Sequence, residues 1–74
     1  MNDEELKKRY EMLSDCWKFF KRYAIVDLNI LADDAIEEVY KICSKYDNAP
    51  FILSLMNAAQ DELDRVYKED KAQT

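Results

Sequence analysis

The chain has 74 residues with no histidine, no glycine, one proline and two cysteines. That is one small domain, which buries only about 60% of the surface its unfolded form exposes. Hairpins lean on glycine for cheap positive φ, so an all-β fold is excluded. A net charge of −5 lacks the basic balance of a direct nucleic-acid binder.

About half the residues are apolar and a third are charged, the mixture of amphipathic helices. The expected fold is all-α: a compact antiparallel three-helix bundle, with helices over about 3–27, 30–46 and 50–69. In the first segment Leu6, Tyr10, Leu13, Trp17, Phe20 and Ala24 recur at spacings of four and three, so they share one helical face. Asn2 is placed to cap the start, with Glu5 three residues on. A second apolar row of Met12, Cys16, Phe19, Tyr23 and Val26 runs beside the first, which makes the apolar arc unusually wide. The expected break near 27–30 carries Asp27 and Asn29, both good caps.

The second helix presents Leu31, Ala35, Ile36, Val39, Ile42, Cys43 and Tyr46 inward. Asp33, Asp34, Glu37 and Glu38 are expected in its first turns, and Lys41 and Lys45 in its last, which complements the helix dipole. Asp47-Asn48-Ala49-Pro50 breaks it, because proline is tolerated at the first turn of a helix and rarely inside one. The third helix carries a stripe of Ile52, Leu55, Met56, Ala59, Leu63, Val66 and Tyr67. Asp61–Arg65 and Asp64–Lys68 are favourable pairs four apart. Short connections make successive helices antiparallel. The expected core is Leu13, Trp17, Phe20, Val39, Cys43, Leu55, Ala59 and Leu63.

Catalysis by a hydroxyl or thiol normally needs a positioned base, most often histidine. Phosphate-cradling loops need glycine. The chain has neither, and no enzyme activity, cofactor or metal is expected. Four carboxylates of the second helix gather on one surface, but hard-cation sites draw ligands from loops or several elements. A solvated helix start explains them.

The acidic start, Met1-Asn2-Asp3-Glu4-Glu5, is the opposite of a secretion signal. No apolar run approaches the ~20 residues that span a bilayer. The expectation is a cytoplasmic protein with Cys16 and Cys43 both free.

Two surfaces are candidates for a protein partner. Trp17-Lys18-Phe19-Phe20-Lys21-Arg22-Tyr23 carries more aromatic area than a three-helix core hides. With Trp17 and Phe20 in that core, Met12, Phe19 and Tyr23 are expected to line an apolar patch. Asp33, Asp34, Glu37 and Glu38 form an acidic surface suited to a basic partner. Charge is uneven: residues 1–26 hold six basic and five acidic side chains, and residues 27–74 hold five and eleven.

The pattern Trp17-x-Phe19-x-x-x-Tyr23, then Asp33-Asp34 with Glu37, Tyr46, Pro50-Phe51 and Ala58-x-x-Asp61-Glu62-Leu63-x-Arg65 resembles a loose group of short helical proteins. These are encoded by phages and mobile elements of Firmicutes. The group has no established activity, so no residue role transfers. What the resemblance implies is context: such proteins often bind host proteins, including defence nucleases such as CRISPR effectors. The expected function is a non-catalytic, acidic protein-binding module that inhibits a basic, nucleic-acid-handling host protein. The alternative is a homo-oligomeric structural or regulatory module, in the simplest case a homodimer.

Overall fold

The computed structural model describes the backbone of residues 1–25 and 28–73 and the side chains of residues 1–25 and 34–69. Three helices, α1 (Asp3–Ala24), α2 (Leu28–Lys45) and α3 (Pro50–Gln73), make up the fold, with no strand among the described residues. The body measures 48 × 21 × 17 Å.

Local chemistry sets the ends. Asn2 has extended backbone, and its side-chain oxygen accepts from the Glu5 amide at 2.9 Å. That satisfies one of the four unpaired donors at a helix start. Asp3, Glu4 and Glu5 occupy the first turn of α1 and Lys21 and Arg22 its last, in keeping with the helix dipole. The helix stops at Ala24, short of the expected residue 27. The β-branched pair Ile25-Val26 is a weak helix continuation. α2 is already helical at Leu28, two residues before its expected start at 30. As a consequence Asp33 and Asp34 lie beyond the first turn of α2, which holds no acidic residue. The dipole explanation for the acidic group is corrected accordingly.

α2 ends without glycine. Asp47 and Asn48 both take left-handed backbone, each at φ 55°. The Asn48 amide donates to the Cys43 carbonyl at 2.8 Å and the Asp47 amide to that of Ser44 at 3.1 Å, a Schellman closure. Asparagine and aspartate enter this region more readily than other non-glycine residues. Pro50 then occupies the first position of α3, where its missing N–H costs nothing. The carbonyl of Ala49 accepts from Leu53 at 3.1 Å. α3 runs past the expected residue 69 to Gln73, since Lys71, Ala72 and Gln73 are all good helix formers.

Polar pairs fix the helix directions. Asp15 of α1 meets Lys45 at the end of α2 and Tyr46 just beyond it, while Arg22 and Tyr23 meet Glu38. The two helices are therefore antiparallel. Cys16 meets the Leu55 carbonyl, and the Tyr67 hydroxyl donates to the Tyr23 carbonyl. α1 and α3 are therefore parallel, the up-down-up order of a three-helix bundle.

The buried core is Met12, Phe19, Tyr23, Cys43, Ile52, Met56, Ala59 and Leu63. Phe19, Ile52 and Met56 are the large side chains removed most completely from water. Phe19 and Tyr23 pack with ring centres 4.9 Å apart.

Here the expected core is corrected on α1. Cys43, Ala59 and Leu63 are buried as expected, and Phe20, Val39 and Leu55 are half-buried against the core. Leu13 and Trp17, however, are 48% and 59% exposed, whereas Phe19 is 1% exposed. Met12, Phe19 and Tyr23 thus belong to the core rather than to an exposed apolar patch. Leu13 and Phe20 follow the core residues Met12 and Phe19 by one position, and Trp17 follows the half-buried Cys16; one position turns a helix by about 100°. Only one of two rows so related can point between α2 and α3. The Met12 row wins because its flanking Asp15, Arg22 and the Tyr23 hydroxyl all find partners on α2.

Candidate partner-binding surface

α1 carries its second apolar row outside the bundle. Leu6, Tyr10, Leu13 and Trp17 are all largely exposed, and Phe20 continues the row half-buried. The spacing is four, three, four, three, the register of a coiled-coil seam. The rings of Trp17 and Phe20 stack, with centres 6.2 Å apart and planes 21° apart.

Beside this row lies a groove between α1 and α3. Trp17, Phe20 and Cys16 form one wall, and Leu55, Ala58, Asp61, Glu62 and Arg65 form the other, around a hollow of about 590 Å³. A second hollow of about 460 Å³, nearer the start of both helices, is lined by Arg9, Met12, Phe51 and Ser54 among others. Phe51 is 37% exposed there. Ala58 and Ala59 add little bulk to the α3 side of the groove. Lys7 and Lys21 are exposed along the outer edge of the α1 row, while Lys18 turns to the α2 side. On α3 Arg65 pairs with Glu62 rather than with the expected Asp61, and Lys68 pairs with Asp64 at 2.9 Å.

The other side of α1 faces α2 across a charged groove of about 600 Å³. Glu38 accepts from Arg22 Nη1 and from the Tyr23 hydroxyl, both at 2.7 Å. Asp15 accepts from Lys45 Nζ at 2.9 Å and from the Tyr46 hydroxyl. Burial alone raises the Asp15 pKa, but the Tyr46 hydrogen bond and the neighbouring Lys45 bring it below the ordinary carboxylate value. Burial first, and then the adjoining carboxylate, push the phenols of Tyr23 and Tyr46 above theirs. Asp15 raises the Lys45 ammonium in turn.

Of the four carboxylates expected to form one acidic surface, only part remains open. Asp34 and Glu37 are exposed, and Lys41 approaches Glu37 to 3.5 Å. Glu38 is half-buried and held by α1, so its expected role as a free docking charge is corrected. The side chain of Asp33 lies outside the described residues. Among the described residues no group of three or more His, Cys, Asp or Glu is arranged to hold a metal ion. No described helix is long and apolar enough to cross a membrane. Neither thiol is in a disulfide. Burial pushes both thiols up in pKa, and Cys16 donates to the Leu55 carbonyl at 3.5 Å.

Sequence reasoning missed Leu6, Tyr10, Leu13 and Trp17 as the exposed row, although their unbroken heptad spacing was visible. It also missed Asp15, Lys45 and Tyr46 as a group, for which no local signal exists across 30 positions. Comparison with protein-family models, curated proteins and solved structures gives no match to this chain.

Proposed function

We propose that this chain is a non-catalytic protein-binding module of a reducing, cytoplasmic environment, and that its working surface is the outer row of α1 with the α1/α3 groove. The observation that carries this reading is that Leu6, Tyr10, Leu13 and Trp17 stay largely exposed on a helix that already buries another row. Exposed tryptophan and tyrosine beside a hollow are the side chains from which binding hot spots are built. A contiguous apolar patch on a small charged protein marks an interaction site. Two thiols held protonated by burial, in a chain without histidine, favour binding over chemistry.

Inhibition of a basic, nucleic-acid-handling host protein is the more specific form of this reading. It draws on the resemblance to phage and mobile-element proteins and on the exposed Asp34 and Glu37. With Glu38 engaged inside the fold, its acidic surface is smaller than the sequence suggests. Self-assembly draws on the α1 row itself.

The test is capture by the immobilised protein, comparing the parent with a Leu13→Asp/Trp17→Asp variant whose helicity is checked by circular dichroism. A discrete partner, which includes the chain itself, is expected on the parent and not on the variant. Equal capture by both overturns the surface named here. Loss of capture on reversing Asp34 and Glu37 to Lys, with the α1 variant unaffected, moves the site to the acidic face.

A further inference from the structure

We infer that the α1/α3 groove is filled by a second copy of this chain, arranged about a two-fold axis that runs along the helices, so that α1 of each copy lies on α3 of the other. The inference rests on the reading of this face as the partner-binding surface and names its occupant.

The face is complementary to itself. It carries a projecting row, Tyr10, Leu13 and Trp17, next to a hollow whose lining includes the small Ala58 and Ala59. A two-fold contact uses the same patch on both subunits, so a surface with a ridge and an adjacent groove meets its own requirement. Rotation about an axis along the helices sets ridge over groove twice.

Charge selects this arrangement from the alternatives. The ridge is edged by Lys7 and Lys21, and the far edge of the groove by Asp61, next to an Arg65 that is already paired with Glu62. A two-fold along the helices leaves every residue at its own level. Trp17 and Asp61 line one hollow and so share a level. Lys21, one turn beyond Trp17, therefore arrives beside Asp61 of the other copy. The competing arrangement sets α1 antiparallel on α1. It pairs position 6 with position 20, and so brings Lys7 against Lys21 with like charges opposed. Segment charges agree: residues 1–26 carry a small basic excess and residues 27–74 a large acidic one.

The area suffices for a weak dimer. An aromatic side chain presents about 150–250 Å², and Tyr10 and Trp17 are 70% and 59% exposed. Leu6, Leu13, Phe20, Phe51 and the lysine stems bring the face to roughly 600 Å². That is the low end of a stable interface, on the order of 600 Å² per partner. Association is expected to be weak and to weaken further with salt, because the rim pairs are exposed.

The test is sedimentation equilibrium of the full chain from micromolar to submillimolar concentration. A mass of two chains is expected at the upper end. Trp17→Ala is expected to weaken association at least about tenfold while helicity is kept. Lys21→Glu should do the same, and adding Asp61→Lys should restore the dimer. A single-chain mass throughout overturns the inference, and so does a dimer that Trp17→Ala leaves untouched. Failure of Asp61→Lys to rescue, or a tighter dimer from Lys21→Glu alone, means that α1 lies on α1 and overturns the arrangement. A monomer whose partner capture still needs Leu13 and Trp17 removes the second copy but keeps the binding surface. A monomer whose capture ignores them removes both.

Discussion

Asp15 of α1 and Glu38 of α2 each hold one tyrosine hydroxyl and one cation of the opposite helix. The two groups are reciprocal, one reaching from α1 to α2 and the other back. Among the described residues α2 places Cys43 fully in the core and Ala35, Val39 and Ile42 half-buried against it, and these polar groups add to that attachment. A hydrogen bond to a charged group is worth about 1.5–3 kcal/mol when well shielded, and partial exposure reduces it. Tyr46→Phe and Tyr23→Phe are each expected to cost about 1 kcal/mol. Thermal denaturation should show this as a fall of about 4–8 °C per variant in a domain this size. A melting temperature unchanged in both variants would show that α2 is held by apolar contact alone.

The same groups give stability a defined pH profile. The Asp15 pKa is lower folded than unfolded, so its contribution is present above the ordinary carboxylate range. It is lost as pH falls through the depressed folded value. The phenols of Tyr23 and Tyr46 are raised, so theirs is complete below the ordinary phenol range, about pH 10. It is lost as pH rises through the folded values. Urea midpoints taken across pH should fall at both ends, and Asp15→Asn should flatten the acid limb. An acid limb identical in parent and Asp15→Asn contradicts the assignment.

Phe19 and Trp17 should respond in opposite ways to truncation. Phe19→Ala opens a cavity beside Ile52 and Met56 and should cost about 3–5 kcal/mol. That is most of what so small a domain possesses, and circular dichroism at low protein concentration should find it largely unfolded. Trp17→Ala under the same dilute conditions should lose less than about 1 kcal/mol. The reverse order would place Trp17 in the core.

That pair also shows where the sequence is legible. Helix number, order and turn positions follow from spacing, from Asn2 and from Pro50, because these are local properties. The choice between the two rows of α1 is not local. Both have helical period, and ranking them by bulk favours Trp17. The decision belongs to Asp15, Arg22 and Tyr23, whose partners Lys45, Tyr46 and Glu38 stand 15 to 31 positions away. Polar groups that must be paired when covered orient the helix more firmly than the size of its apolar side chains. The acidic group of α2 misleads for the same reason, since nothing in its own neighbourhood shows that Glu38 is taken.

The turn between α2 and α3 places two non-glycine residues at φ 55°. Asn48→Val should cost about 1–2 kcal/mol, because a branched Cβ crowds the carbonyl in this region. Asn48→Gly should be neutral or stabilising by up to about 1 kcal/mol. Chemical denaturation distinguishes them, and a valine variant as stable as the parent would show that Asn48 is not left-handed in solution.

An odd number of helices sends the two ends of the described chain out at opposite poles of a body 48 Å long. In the inferred dimer the axis runs along that length, so both first residues sit at one pole and both final helical turns at the other. Anything fused to the start of the chain is then brought together in pairs, and anything fused to the end is paired at the far pole. A label at either terminus therefore reports on assembly without touching the ridge or the groove. Energy transfer between start-labelled copies should be strong, and transfer between a start label and an end label weak.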